Sequence, residues 1–169
     1  ETLAAAARAD AICFGTLAQR AEKSRSSIHQ ILSPAKPDTL RILDVNLRQD
    51  FYSADVINQS LRPANILKIN DAELPIIARL LDLGGDAQAQ MAELANRYTL
   101  RLVACTRGAN GSLLLANGQW SEHPGIPTMV GDTIGAGDSF TAAMAIGYLC
   151  HWDLDKINEQ ANRVACMSN

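Results

Sequence analysis

The chain has 169 residues, of which 47% are hydrophobic and 20% charged, so it can bury one sizeable core. A formal net charge of -3 at pH 7 gives no electrostatic case for binding nucleic acid or an anionic membrane. No apolar run approaches the roughly 20 residues of a membrane-spanning helix, and the N-terminus lacks the pattern of a signal peptide. We therefore expect one domain with neither a nucleic acid nor a membrane as partner.

Short apolar runs that favour β-structure alternate with helical patterns along the chain. They predict six strands, with the last two forming a hairpin around Asn117-Gly118, at 11–14, 41–45, 66–69, 102–106, 112–116 and 119–123. Apolar residues at helical spacing predict helices at 26–32, 54–61, 71–81, 87–98, 137–149 and 154–167. This alternation predicts a single α/β domain over 1–169, with a mostly parallel sheet covered by helices on both faces.

The cysteines give no sign of a metal site or of a disulfide framework. Cys13, Cys105, Cys150 and Cys166 have no Cys-x-x-Cys spacing, and the three histidines are scattered. This usage of cysteine fits a reducing cytoplasm.

A turn of small residues opens the helix predicted at 137–149. Gly135, Ala136 and Gly137 leave backbone N–H groups uncovered at a helix N-terminus, which is an arrangement that binds anions. Asp138, directly behind the turn, would repel a bound phosphate unless it has a task such as taking a proton from an attacking hydroxyl. The alternative is that Asp138 only caps the helix, because Asp is a preferred N-cap residue.

Other polar segments follow predicted strands at their carboxyl ends, where parallel sheets bind ligands. Asn70 and Glu73 have nearly the spacing of a capping box, and the same pair suits a hydrated magnesium ion with nucleotide phosphates. Segment 106–111 suits either a strand-to-hairpin turn or a close approach of backbone to a phosphate.

The segment after the second predicted strand alternates polar and apolar residues. Asp44, Asn46 and Arg48 would point into one crevice if the strand extends that far. The alternative interpretation of this segment is a salt-bridged strand end.

The run Asp-Thr-Ile-Gly-Ala-Gly-Asp at 132–138 closely resembles the C-terminal signature of the ribokinase-like, or PfkB, family of carbohydrate kinases. Segments 44–48, 70–73 and 106–111 are similar to three more motifs of that family, in the family's order. The resemblance implies a three-layer α/β/α fold and ATP-dependent phosphorylation of a sugar hydroxyl. Within the family, the sequences of segments 44–52 and 67–74 are most similar to those of bacterial fructokinases.

The resemblance also implies a role for each motif. The amides of Gly135, Ala136 and Gly137 would form the anion hole, and Asp138 would be the catalytic base at the acceptor hydroxyl. The sugar and the transferred phosphate would meet Asn46 and Arg48. The nucleotide would be held by Asn70, Thr106, Arg107, Gly108, Gly111, Gly137 and Asn162. The alternatives are a solvated loop-tip arginine for Arg107 and a polar residue on the wet face of its helix for Asn162.

Two cation sites are implied in the same way. Mg²⁺ would be held through water by Asn70 and Glu73. A monovalent cation such as K⁺ would meet the side chain of Asp132 and the carbonyl of Ile134, with its remaining ligands beyond Asn169.

The family's N-terminal portion, with its sugar-binding segment and β lid, has no counterpart before Glu1, and its last strand and helix have none after Asn169. We therefore expect the nucleotide-binding and catalytic half of a larger kinase, whose oligomeric state, including a homodimer, stays open. Ribose, 2-keto-3-deoxygluconate, a nucleoside or a sugar phosphate are alternative acceptors. A non-catalytic sugar or nucleotide sensor is a rival from another class. A dinucleotide-binding oxidoreductase is disfavoured, because its glycine turn would follow the first strand.

Overall fold

The structure, a computed structural model, describes residues 1–127 and 135–167. Its strands are β1 (Ala11–Gly15), β2 (Leu40–Asp44), β3 (Ile66–Asn70), β4 (Leu102–Thr106), β5 (Ser112–Ala116) and β6 (Gln119–His123). They form one six-stranded sheet in the order β1-β2-β3-β4-β5-β6. Strands β1 to β4 are parallel, and β5 and β6 continue the sheet as an antiparallel hairpin. The predicted mostly parallel sheet is confirmed, and every predicted strand bound lies within one residue of the observed one.

Seven α-helices lie within the described ranges: α1 (Thr2–Ala6), α2 (Glu22–Leu32), α3 (Ala54–Leu61), α4 (Leu74–Leu80), α5 (Ala87–Arg97), α6 (Ala136–Leu149) and α7 (Leu154–Met167). The sequence did not predict α1, the first turn of α2 or the two 3₁₀ turns at Leu17–Arg20 and Gly108–Asn110. These segments are short or polar and carry no apolar period. None of the described helices is both long enough and apolar enough to cross a bilayer.

Helix α4 begins three residues later than predicted. The side-chain oxygen of Asn70 accepts hydrogen bonds from the amides of Ala72 and Glu73, which gives these residues a turn of their own. Pro75 lies in the first turn of α4, where its missing N–H would have had no helical partner.

The sheet separates two hydrophobic cores, because successive residues of a strand point to opposite faces. On one face, Leu43, Leu67 and Val103 pack with apolar residues of α2, α3, α4 and α5. On the other face, Ile42 and Ile66 join a core with Leu40, Leu102, Ala104, Leu114, Phe140, Met144, Ala145, Ile157 and Ala161, to which α6 and α7 contribute. The arrangement is helix on sheet on helix, as the resemblance implied.

The parallel pairing brings four strand ends to one edge of the sheet. Gly15 pairs with Asp44, and Asp44 pairs in turn with Lys68. Asn70 at the end of β3 pairs with Thr106 at the end of β4. Ligands of open α/β sheets bind at such an edge, so this register defines where a site should lie.

Candidate active site

A cleft of about 930 Å³ opens at this carboxyl edge of the sheet. Its walls come from the ends of β1 to β4, the turn after β4 and the N-terminus of α6. Of the residues predicted for the site, nine line the cleft: Asn46, Arg48, Asn70, Glu73, Thr106, Gly108, Gly135, Gly137 and Asp138. Residues from all four sequence motifs therefore meet in one cavity.

The N-terminus of α6 forms one wall of the cleft. Gly135 is the N-cap residue with a φ of 86°, a left-handed conformation that favours glycine. Ala136 begins the helix, and Gly137 and Asp138 follow in the first turn. Asp138 is therefore not the N-cap residue, and the interpretation of it as a simple cap is wrong. Its side chain is exposed at the cleft, where the helix N-terminus and its dipole also point.

Asn70 and Glu73 form a reciprocal capping arrangement, as their spacing predicted. Asn70 Oδ1 accepts from the amide of Glu73 at 2.8 Å, and Glu73 Oε2 accepts from the amide of Asn70 at 3.1 Å. The other carboxylate oxygen, Glu73 Oε1, accepts from the amide of Leu47 at 2.9 Å. Glu73 is only 7% exposed, so this buried carboxylate ties the chain leaving β2 to the end of β3.

The segment after β2 does not continue as a strand. Asn46 has a φ of 53° and Gln49 a φ of 48°, which break the alternation on which the shared-face prediction depended. That prediction is wrong, yet Asn46 and Arg48 still line the cleft as exposed residues. The salt-bridged strand end is present at Asp44, whose Oδ1 lies 3.0 Å from the ammonium nitrogen of Lys68.

Sequence reasoning missed Lys68 and Thr141. Lys68 lies in an otherwise apolar strand, and this lysine within Ile-Leu-Lys-Ile was the signal that could have found it. Thr141 donates from its Oγ1 to Asp44 Oδ2 at 2.8 Å, a contact between residues 97 positions apart. No local sequence pattern predicts that contact.

Cys13, in the middle of β1, lines the cleft, and the pKa of its thiol depends in part on the charges there. Loss of solvation, followed by the carboxylates of Asp44 and Asp138, raises the pKa of the Cys13 thiol from 9.0 to about 11, against the opposing charge of Lys68. Charged groups on β2, β3 and α6 thus shift the pKa of a thiol on β1, in addition to its loss of solvation.

Three residues predicted to hold the nucleotide do not line the cleft in the described part of the chain. Arg107 turns to β6, where its Nη1 lies 2.8 Å from Glu122 Oε1. Gly111 is buried with a φ of 77°, and a Cβ there would lie 2.0 Å from the carbonyl oxygen of His123. Asn162 is 9% exposed and donates to Ser112 Oγ at 2.7 Å, so it is not on a wet helix face. Asp132 and Ile134 lie outside the described residues.

The family model for pfkB family carbohydrate kinases matches residues 3–168. The chain belongs to this family. A fructokinase of Klebsiella pneumoniae is 30% identical over 142 residues, which are 80% of this chain and 45% of that protein. Several fructokinases of other bacteria also match, which confirms the resemblance to bacterial fructokinases.

Solved structures of other family members show the same fold. An uncharacterized sugar kinase of Pyrococcus horikoshii has a TM-score of 0.77 at 27% identity, over 96% of this chain and 52% of that one. Its complex with ATP gives a TM-score of 0.75. The 2-dehydro-3-deoxygluconokinase of Thermotoga maritima, at 19% identity, shows the fold alone, with a TM-score of 0.83 over 99% of this chain and 56% of that one. The chain spans about half the length of the curated relatives it matches.

Proposed function

We propose that the protein is an ATP-dependent sugar kinase that transfers the γ-phosphoryl group to a hydroxyl of fructose or a similar sugar. The observation that carries the proposal is the position of Asp138. This exposed carboxylate stands behind the glycine turn of α6, in the same cleft as Asn70 and Gly108. Family membership, the matching fructokinases and the ATP complex of the Pyrococcus horikoshii protein support the choice of reaction.

In this proposal Asp138 accepts the proton of the sugar hydroxyl as that oxygen attacks the γ-phosphorus. The bond between the γ-phosphorus and the bridging oxygen of ATP breaks, and ADP leaves. The amides of Gly135, Ala136 and Gly137, with the positive end of the α6 dipole, stabilise charge on the phosphoryl oxygens.

Asp44, the other carboxylate near α6, is not suited to be the base. Its Oδ1 is paired with Lys68, and its Oδ2 accepts from Thr141. Asp138 is exposed, whereas Asp44 is largely enclosed by its two partners. The surroundings therefore give the two carboxylates different tasks.

The nucleotide side of the proposal uses the ends of β3 and β4. Thr106 and Gly108 line the wall where the phosphates would lie, and Asn46 and Arg48 line the wall where the sugar would lie. Mg²⁺, when bound, would neutralise charge between the phosphates. The side-chain oxygens of Asn70 and Glu73 line the cleft and have lone pairs beyond the amide hydrogen bonds that they accept, so they fit a hydrated magnesium ion whose waters would donate to them.

The remaining roles that the family resemblance implies are part of the same proposal. The resemblance implies that Arg107, Gly111 and Asn162 hold the nucleotide, and in this proposal they do so by shaping the nucleotide loop through the contacts described above. Asp132 and Ile134 would hold K⁺. A cytoplasmic location, which the four free cysteines favour, completes the proposal.

The test is ADP release by the intact protein with ATP, magnesium and each of fructose, ribose, 2-keto-3-deoxygluconate, adenosine and fructose 6-phosphate. We expect turnover with fructose. Asp138→Asn should lower that turnover by roughly two to four orders of magnitude and leave ATP affinity close to normal, as for loss of a general base. Asp155→Asn, which changes an exposed acid in the first turn of α7, is the matched control. Sugar and ATP binding without ADP release would instead indicate a sensor, and near-full turnover of Asp138→Asn would refute the base.

A further inference from the structure

Lys68 is a buried charge that the proposed mechanism does not yet use. It is 7% exposed on β3, between strand residues that are fully buried, and it lines the cleft. Its ammonium nitrogen lies 3.0 Å from Asp44 Oδ1. Buried ion pairs are weak contributors to stability, because apolar residues of similar size often serve as well. Stability therefore does not explain why this ion pair is buried.

Asp44 holds the ammonium in a fixed place. Its Oδ2 accepts from Thr141 Oγ1 at 2.8 Å, and Thr141 Oγ1 also lies 2.9 Å from the carbonyl oxygen of Gly137. Lys68, Asp44 and Thr141 thus form a chain of polar contacts that links β3 and β2 to the first turn of α6.

The ammonium lies directly against the first turn of α6. A Cβ atom on Gly137 would come within 3.1 Å of Lys68 Nζ, so glycine at this position gives the ammonium its room.

The ammonium is suited to an anionic ligand. It carries three N–H donors, and among the described residues its hydrogen bond is to Asp44. Gly135 and Gly137 at the N-terminus of α6 line the same cavity, and the positive end of the helix dipole there also favours negative charge. A cation and a set of amides that converge on one place in a cleft match a phosphoryl group better than a neutral sugar.

We propose that Lys68 is a further catalytic residue of this site, whose ammonium contacts the γ-phosphoryl group of the nucleotide and follows it during transfer, and that Asp44 and Thr141 are positioning residues that hold this ammonium beneath Gly137. The inference rests on the proposed function. The bonds made and broken at phosphorus are those given above, and the proton still goes to Asp138. Lys68 supplies charge and hydrogen bonds, and no proton leaves it.

The first experiment compares Lys68→Met and Lys68→Arg in the intact protein. A hydrogen bond to a charged group is typically worth a factor of roughly 10 to 100, so Lys68→Met should lower turnover at saturating substrates by about that factor. ADP affinity should change by less than about threefold, and Lys68→Arg should restore part of the turnover. Lys23→Met, an exposed lysine on α2, is the matched control.

Lys68→Met leaves Asp44 without its counter-ion, so loss of fold must be separated from loss of function. The double variant Lys68→Met with Asp44→Asn removes both charges and keeps an acceptor for Thr141. If this variant unfolds at the same denaturant concentration as the wild type and retains turnover within threefold, the proposal is overturned. A loss of more than threefold in a folded double variant, smaller than the loss in Lys68→Met alone, supports it.

A second pair of variants tests the positioning role. Thr141→Ser keeps the hydroxyl that donates to Asp44, whereas Thr141→Val removes it at similar volume. We expect near-normal turnover for Thr141→Ser and a loss for Thr141→Val that is smaller than that of Lys68→Met. Equal turnover of Thr141→Val and the wild type would overturn this part.

Failure of the proposed function remains distinguishable from failure of this inference. If the wild type releases no ADP with any sugar of the panel, phosphoryl transfer is refuted. Lys68 is then tested by direct titration with ATP and with ADP. The preference for ATP over ADP should fall about tenfold in Lys68→Met, and an unchanged preference would overturn the contact with the γ-phosphoryl group.

Discussion

Glu73 offers the sharpest test of how the cleft is built, because its carboxylate appears in two explanations. In the structure, both of its oxygens accept backbone amides, one from Leu47 and one from Asn70, at 2.9 and 3.1 Å. In the proposed function, the same carboxylate orders the water around magnesium. Glu73→Gln separates the two, since it keeps the size of the side chain and removes the charge and one acceptor.

The expected loss of stability follows from these two contacts. Glutamine can accept from one of the two amides, while its NH₂ group faces the other amide as a second donor. One buried amide then loses its acceptor, and the remaining bond loses its charge. Hydrogen bonds to charged groups contribute about 1.5–3 kcal/mol, so the free energy of unfolding should fall by about 2–3 kcal/mol.

The assay is urea unfolding of the intact protein, followed through tryptophan fluorescence. Glu22→Gln, which changes an exposed glutamate in the first turn of α2, is the matched control and should change stability by less than about 0.5 kcal/mol. The loss of the Leu47 contact should also raise the KM for the sugar, because Asn46 and Arg48 flank that residue at the cleft. If Glu73→Gln unfolds like the control, the two amide contacts do not hold the turn and the reasoning is refuted. A changed magnesium requirement at unchanged stability would assign the carboxylate to the metal alone.

Two further predictions concern the thiol of Cys13 and the turn after β4. The pKa of Cys13 is raised to about 11, so the rate of its alkylation should increase with each pH unit up to that value. Asp138→Asn removes a negative charge, and it should therefore lower the pKa of Cys13 and speed its alkylation at pH 8. Mass spectrometry measures the alkylation rate of Cys13 in the wild type and in Asp138→Asn, with Cys150 at the far end of α6 as the internal reference. Equal rates for Cys13 in the two proteins would show that Asp138 does not lie near this thiol. Gly111→Ala forces a Cβ to 2.0 Å from a carbonyl oxygen at a φ of +77°, whereas Gly108→Ala at +56° meets open space. Gly111→Ala should therefore cost clearly more in urea unfolding than the roughly 1–2 kcal/mol of left-handed strain expected for Gly108→Ala, and equal losses would contradict the close contact.

The sequence predicts the sheet well because its strands are buried on both faces. A continuous apolar run such as Leu102–Thr106 is too apolar for an exposed loop and too short for an amphipathic helix. The helical patterns between such runs indicate crossovers between parallel strands. Parallel strands then bring their carboxyl ends to one edge without any further assumption. This is why Asn70 and Thr106 could be placed in one cleft before any coordinates, whereas the placement of Asp138 depends on the resemblance of its motif.

The directions of side chains within that cleft could not be predicted in the same way, because they depend on contacts between distant segments. Arg107 lies within the segment 106–111 that suits phosphates, yet Glu122 of strand β6 pairs with its guanidinium. The resemblance implies a nucleotide contact for Asn162, yet the packing of α7 against β5 buries it beside Ser112. Asn46 was expected to extend β2, and a positive φ ends that extension. Each outcome is fixed by residues that no local pattern includes.

The charges around α6 explain how two carboxylates can lie so close to the proposed phosphate site. Lys68 neutralises Asp44, so the negative charge that remains near the helix terminus is that of Asp138. In the proposed reaction, Asp138 takes the proton of the sugar hydroxyl, and this last charge disappears as the phosphoryl group moves toward the acceptor. The repulsion between base and phosphate therefore falls along the reaction, while the attraction of the amides and of Lys68 persists. Without Lys68, Asp44 would keep its charge throughout and oppose the transfer, and this predicts that Asp44→Asn should partly offset the loss of turnover caused by Lys68→Met.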